Sequence, residues 1–233
     1  MPDHKRGAGD DPAHHAEEAA RRHFDEEAGD YESGRRYRRL EAPRAAAVAL
    51  LDIGPSDRLL DIGCGTGITV RTLAAKVERA AGIDISPSMI GYARDHAGDA
   101  PNIEFTVAES SALPFADAMF TAVLCTFSFH HYPRPVASVR EMARVLVDGG
   151  RVVLADASSD HWAVRIADVV ARRREPGHVH FYRSHELASL LQQAGFVEID
   201  VYRPPRSWYV VVRGVRRTAG DTRPPPSTPL MGT

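Results

Sequence analysis

The nine residues from Leu59 to Gly67, LLDIGCGTG, set three glycines at alternate positions behind a strand-like run, with Asp61 just ahead of the first. Glycine has no Cβ and reaches left-handed backbone angles, so a strand running into Gly63, Gly65 and Gly67 can bring its backbone close to a ligand. The helix that follows offers its free N–H groups. Downstream, short β-rich runs alternate with helical ones: RLLDI, RTLAAKV, AAGIDI, SMIGYARDHA and IEFTV, then MFTAVLCTF, VASVREMARVL, a Gly149-Gly150 turn and RVVLADA. Ser86 followed by Pro87 marks a helix start, because Ser caps and Pro is tolerated in the first turn. This alternation predicts an α/β fold with a doubly wound, mainly parallel sheet.

Two helical runs, Ala13 to about Ala28 and Arg36 to Leu51, precede the first strand. After Ala157 come a helix from Trp162 to Arg174, the irregular GHVHFY, and a helix from Ser184 to Ala194 ended by Gly195. VEIDVYR and WYVVVRG, separated by Pro204-Pro205, predict an antiparallel hairpin at one sheet edge, which brings the sheet to seven strands. The polar segment 1–12 and the proline-rich 219–233 are expected to be disordered tails. One domain is then expected over 13–218, with a helical cap (13–54), a core around the glycine loop (55–157), an insertion (158–183) and a terminal helix and hairpin (184–218).

At 233 residues and 43% hydrophobic content the chain suits a single core. A formal charge of −2 argues against a surface built wholly for nucleic acid, and the arginines at 172–174 and 213–217 suit solvated faces, so no nucleic-acid partner is expected. Two distant cysteines, no secretory apolar segment and no membrane-length apolar run predict a soluble cytoplasmic protein, monomer or homodimer, without membrane contact.

The spacing of the glycines begins like a dinucleotide fingerprint, and Asp84 lies about 20 residues on, where an acid holds ribose hydroxyls. Two details oppose a dinucleotide: the last glycine of that fingerprint falls at Ile68, and Asp61 puts a carboxylate where a pyrophosphate would sit. The same acid favours a ligand with a cationic amino-acid end and no phosphate, such as S-adenosylmethionine.

From about Ala20 to Phe196 the chain resembles the class I S-adenosylmethionine-dependent methyltransferases, in particular the group of ubiquinone, menaquinone and small-molecule enzymes. LLDIGCGTG, GIDIS, VAESSALPF and FTAVLCTFSFHHY with EMARVLVDGGRVVLAD match its successive motifs in order and spacing. Two positions depart: Glu109 stands where Asp is usual, and Thr121 where Asp usually opens the fourth strand. The resemblance implies a Rossmann-like fold and S-adenosylmethionine as cofactor. Asp61, Gly63, Gly65 and Thr66 would face the methionine portion and Asp84 the ribose. Ile85 and Met89 would wall the adenine, which Glu109 and Ser110 would read, with Thr126 and Tyr31 covering the cofactor.

Methyl transfer needs positioning and water exclusion, and a base only where the acceptor still carries its proton. His130 and His131 are the candidates, at the C-terminal end of the fourth strand beside the crevice where open α/β sheets bind ligands. His131 is slightly favoured, because the matching family position is often His, and Asp156 could orient a base. His178, His180 and Tyr182 could wall an acceptor pocket; with no third ligand beside His-x-His, no metal is expected. No Asn-Pro-Pro-Tyr-like run follows the fourth strand, which favours a small acceptor, O- or C-methylated on a phenolic, quinone-like or polyketide-like ring. The competing readings are a nicotinamide-dependent oxidoreductase and a non-catalytic cofactor-binding module.

Overall fold

In the computed structural model, residues 11–33, 35–175, 177–205 and 207–217 are described, without the side chains of 35–37. The expected tails at 1–10 and 219–233 lie outside the described residues. Two helices, α1 (Pro12–Glu27) and α2 (Arg35–Leu51), lead into β1 (Arg58–Ile62). There follow α3 (Ile68–Leu73), β2 (Arg79–Asp84), α4 (Pro87–Asp95), β3 (Ile103–Val107), β4 (Phe120–Thr126), α5 (Pro135–Val145) and β5 (Leu146–Ala157). The chain ends with α6 (Trp162–Arg174), α7 (Ser184–Gln193), β6 (Phe196–Tyr202) and β7 (Tyr209–Arg216).

The seven strands lie in the order β3-β2-β1-β4-β5-β7-β6. β1 pairs in parallel with both β2 and β4, so the order reverses direction there and opens a crevice beyond their C-terminal ends. β5 and β6 both pair antiparallel with β7, which makes the expected edge hairpin. The central strands are apolar on both faces because both are covered: Leu59, Leu60, Ala122, Val123 and Leu124 are fully buried. One layer packs Leu60, Val123, Phe120, Met142 and Phe196 together, and the opposite layer sets Ala47 and Leu51 of α2 against Leu59, Leu124 and Val153.

Three local features differ from the sequence reading or sharpen it. Gly149 and Gly150 do not turn between elements but lie inside β5. Leu146 pairs with Phe120 and Arg151 with Ala122, and the residues between bulge out, with Gly149 at φ +76°. Helix α1 begins at Pro12, because the Asp11 side chain accepts the Ala13 N–H as its cap, which takes Asp11 and Pro12 out of the expected tail. Thr121 keeps a carboxylate at its site by proxy: its hydroxyl donates to Asp57 (2.6 Å), accepts the Arg58 N–H (2.9 Å), and Arg151 completes the group at 2.8 Å from Asp57.

Candidate active site

A cavity occupies the crevice. Tyr31, Gly63, Gly65, Asp84, Ile85, Met89, Glu109, Ser110, Thr126 and His131 all line it; Asp61, Thr66 and His130 do not. Asp61 and Thr66 sit behind its wall, each 1% exposed, and Asp61 Oδ1 and Thr66 Oγ1 have no hydrogen-bond partner. Burial raises the Asp61 carboxyl to about 7; Arg44 works against that rise and Asp84 adds to it.

The three glycines divide their work. A Cβ on Gly63 would lie 2.3 Å from Ser128 Oγ and one on Gly67 2.5 Å from Phe105 Cζ, so these two, both at positive φ, let neighbouring elements close on the loop. Gly65 faces the cavity, with Tyr31 and Met89 no nearer than 3.9 Å to such a Cβ. Its N–H donates to Asp84 Oδ2 (2.9 Å), while the Ser86 N–H donates to Oδ1 (3.0 Å). Each Asp84 oxygen thus holds one backbone donor and keeps acceptor capacity for ligand hydroxyls. Burial raises the pKa of Asp84, and the N–H groups of Ser86, Gly65 and Ile85 pull it back. Ser110 spends its hydroxyl on Ser138 (2.8 Å).

Helix α1 roofs the cavity with Glu17, Ala20 and Phe24, none of which sequence reasoning singled out. It is strapped down from both ends: Glu17 and Asp11 hold Arg134 (2.5 and 2.6 Å), and Asp25 accepts Ser86 Oγ–H (2.5 Å) and the Ser88 N–H (3.0 Å) at the start of α4. Glu32 beyond the helix holds Arg71 of α3 (2.5 Å). The only signal in the sequence was helical periodicity, which does not say what a helix packs on.

The two histidines after β4 face different spaces. His131 lines the first cavity, edge-on to Phe24, and donates from Nδ1 to the Gly177 carbonyl (3.1 Å). His130 lines an adjoining chamber that shares Phe24, Tyr31 and Phe127 with the first and adds Phe181 and Trp208. Asp156, at the end of β5, accepts both the His130 backbone N–H (3.0 Å) and Nδ1–H (2.8 Å). Since a carboxylate only accepts, the proton of a neutral His130 sits on Nδ1 and the lone pair on Nε2, which is buried without a partner. Of GHVHFY only Phe181 lines the chamber; His178, His180 and Tyr182, the residues expected to wall an acceptor pocket, line neither space, and the segment is held by the Val179 and His180 N–H groups donating to the His130 carbonyl (2.9 and 3.2 Å). His178 donates from Nε2 to Asp168 (2.9 Å), and burial pushes its pKa down. Among the described residues no group of three His, Cys, Asp or Glu side chains could hold a metal ion.

The features suit S-adenosylmethionine: an unsatisfied buried carboxylate for a cationic amino-acid end, a carboxylate with spare acceptor sites for a diol, and apolar walls at Ile85 and Met89 for a base. Residues 60–154 match the methyltransferase-domain family. A demethylmenaquinone methyltransferase of Tropheryma whipplei is 30% identical over 174 residues, which cover 66% of this chain and 72% of that one. The O-methyltransferase cnsE of Penicillium expansum is 35% identical over 62% of this chain, but the chain spans only 54% of that protein's length. In fold, the YcgJ protein of Bacillus subtilis superposes with a TM-score of 0.66 at 20% identity, over 76% of this chain and 99% of its own. Loop, carboxylates, sheet order and relatives agree: the chain belongs to the class I S-adenosylmethionine-dependent methyltransferases, with S-adenosylmethionine as its cofactor.

Proposed function

We propose that the protein methylates a hydroxyl oxygen on a small, flat, largely apolar acceptor of phenolic, quinone-like or polyketide-like type, with His130 as the base. The observation that carries this reading is the Asp156–His130 pair opening on an aromatic-walled chamber next to the cofactor cavity. The bound cofactor supplies a methyl group on a sulfonium, with its leaving group built in. The chain's own part is to hold the acceptor among Phe24, Tyr31, Phe127, Phe181 and Trp208, exclude water, and take the hydroxyl proton at His130 Nε2 as oxygen becomes the nucleophile. Asp156 fixes the ring and stabilises the imidazolium that forms, while the backbone N–H of Ala157 (2.7 Å) keeps the carboxylate in place. His131, with Nδ1 turned to Gly177, is better placed to shape the junction of the two spaces, so hydrogen bonding favours His130 where family frequency favoured His131. The names of the Penicillium and Tropheryma relatives, an O-methyltransferase and a demethylmenaquinone methyltransferase, are in keeping with such acceptors.

The test is a panel of phenols and quinols, each paired with its methyl ether, incubated with methyl-labelled S-adenosylmethionine. Label should enter the free hydroxyl compounds and not their ethers. Label at ring carbon, or equal labelling of both members of a pair, would contradict O-methylation.

A further inference from the structure

Glu17 of α1 is 6% exposed and lines the cofactor cavity. Its Oε1 accepts from Arg134 Nη1 (2.5 Å), but Oε2 is buried and has no partner. A buried, unsatisfied carboxylate oxygen on a cavity wall is costly unless a ligand donor meets it. The position of Glu17 names the end of the ligand it would meet. A second recess, beyond the end of β3, is also lined by Glu17, together with Ile85, Ala108 and Glu109. These residues follow Asp84 and β3, on the far side of the ribose acid from Asp61 and the glycine loop, which is the adenine end.

We infer that Glu17 is a second reader of the adenine amino group, taking one of its two N–H hydrogens while Glu109 takes the other. Arg134 makes the pairing tenable: it binds Glu17 directly and lies 4.0 Å from Glu109, so a cation offsets the repulsion of the two carboxylates. Ionised carboxylates only accept, and a 6-amino purine offers both a donor. A 6-oxo purine would turn an oxygen toward them. Because Glu17 stands on α1, reading the base would also draw the roof over the cofactor. The inference rests on the cofactor lying with its ribose at Asp84 and its adenine toward Glu109.

Calorimetry tests it with three ligands: S-adenosylhomocysteine, its N6-methyl derivative and S-inosylhomocysteine, each against wild type, Glu17→Gln and Asp84→Ala. If both amino hydrogens are used, wild type should bind the N6-methyl derivative at least about tenfold more weakly than the parent. Glu17→Gln, which loses the charge and gains an amide N–H, should narrow the preference for the adenosyl over the inosyl ligand by about tenfold. A merely structural role would weaken both ligands alike and leave their ratio unchanged. An N6-methyl derivative that binds wild type within about twofold of the parent overturns the proposal even if Glu17→Gln does not fold. Asp84→Ala should weaken both ligands together. If it changes neither, the orientation itself is wrong, whereas an Asp84 effect with an unmoved Glu17→Gln ratio removes Glu17 alone.

Discussion

Asp61 shows how one buried residue can tie ligand binding to pH. With its carboxyl raised to about 7 from 3.8, the cofactor-free fold keeps a proton that the unfolded chain has already lost. Between those values the folded state binds more protons, so this group's contribution to stability falls as pH rises, and above about 7 the cost is complete. A ligand ammonium paired with Asp61 would reverse the preference, because it needs the ionised form. Affinity for S-adenosylhomocysteine should therefore weaken by about tenfold per pH unit as pH drops below the Asp61 value, with a proton released on binding. Titrations in buffers of different ionisation enthalpy measure both. A flat affinity from pH 5.5 to 8 would contradict the pairing, and Asp61→Asn should abolish the slope. Asp61 and Asp84 were legible in the sequence because the glycine motif fixes their places. Glu17 was not: on a helix an acid reads as solvated until the sheet beneath it is known.

At the scale of elements, the stretch 177–181 joins the two spaces to α6 and α1. Gly177, at φ +75°, has room for no Cβ, since one would lie 2.5 Å from Ala20. Asp168 of α6 accepts from the Phe181 N–H (2.8 Å), His178 (2.9 Å) and Arg172 (2.6 Å), and so fixes the wall that faces His130. Asp168→Ala would strand two buried donors, at about 1–3 kcal/mol each, and should lower the melting temperature by several degrees. Affinity for S-adenosylhomocysteine should change little, because Asp168 does not line the cofactor cavity. A melting temperature within a degree of wild type, or lost cofactor binding, would show that the segment is held otherwise. The span of α6 was legible from its periodicity, and GHVHFY from its break in pattern. The role of Asp168 was not, since its partners lie from one turn to thirteen residues further on and meet only in the folded chain.

For the whole molecule, the sheet and its switch point followed from strands and helices alternating in the sequence, and the antiparallel edge from a proline-interrupted hairpin. The bulge at Gly149-Gly150 did not, because a glycine pair signals a turn equally well when the strand merely detours. Among the described residues no helix is long and apolar enough to cross a membrane. What the fold brings together is a cofactor cavity, an aromatic chamber and, lining that chamber, a histidine held by Asp156. The direct test is turnover of His130→Gln with an acceptor from the panel, alongside calorimetry with S-adenosylhomocysteine. Turnover should fall by about 10²- to 10⁴-fold while affinity for S-adenosylhomocysteine stays within about twofold of wild type, and Asp156→Asn should lose activity in the same sense. A His130→Gln protein that turns over at the wild-type rate would contradict base catalysis by this residue and leave positioning alone to carry the reaction.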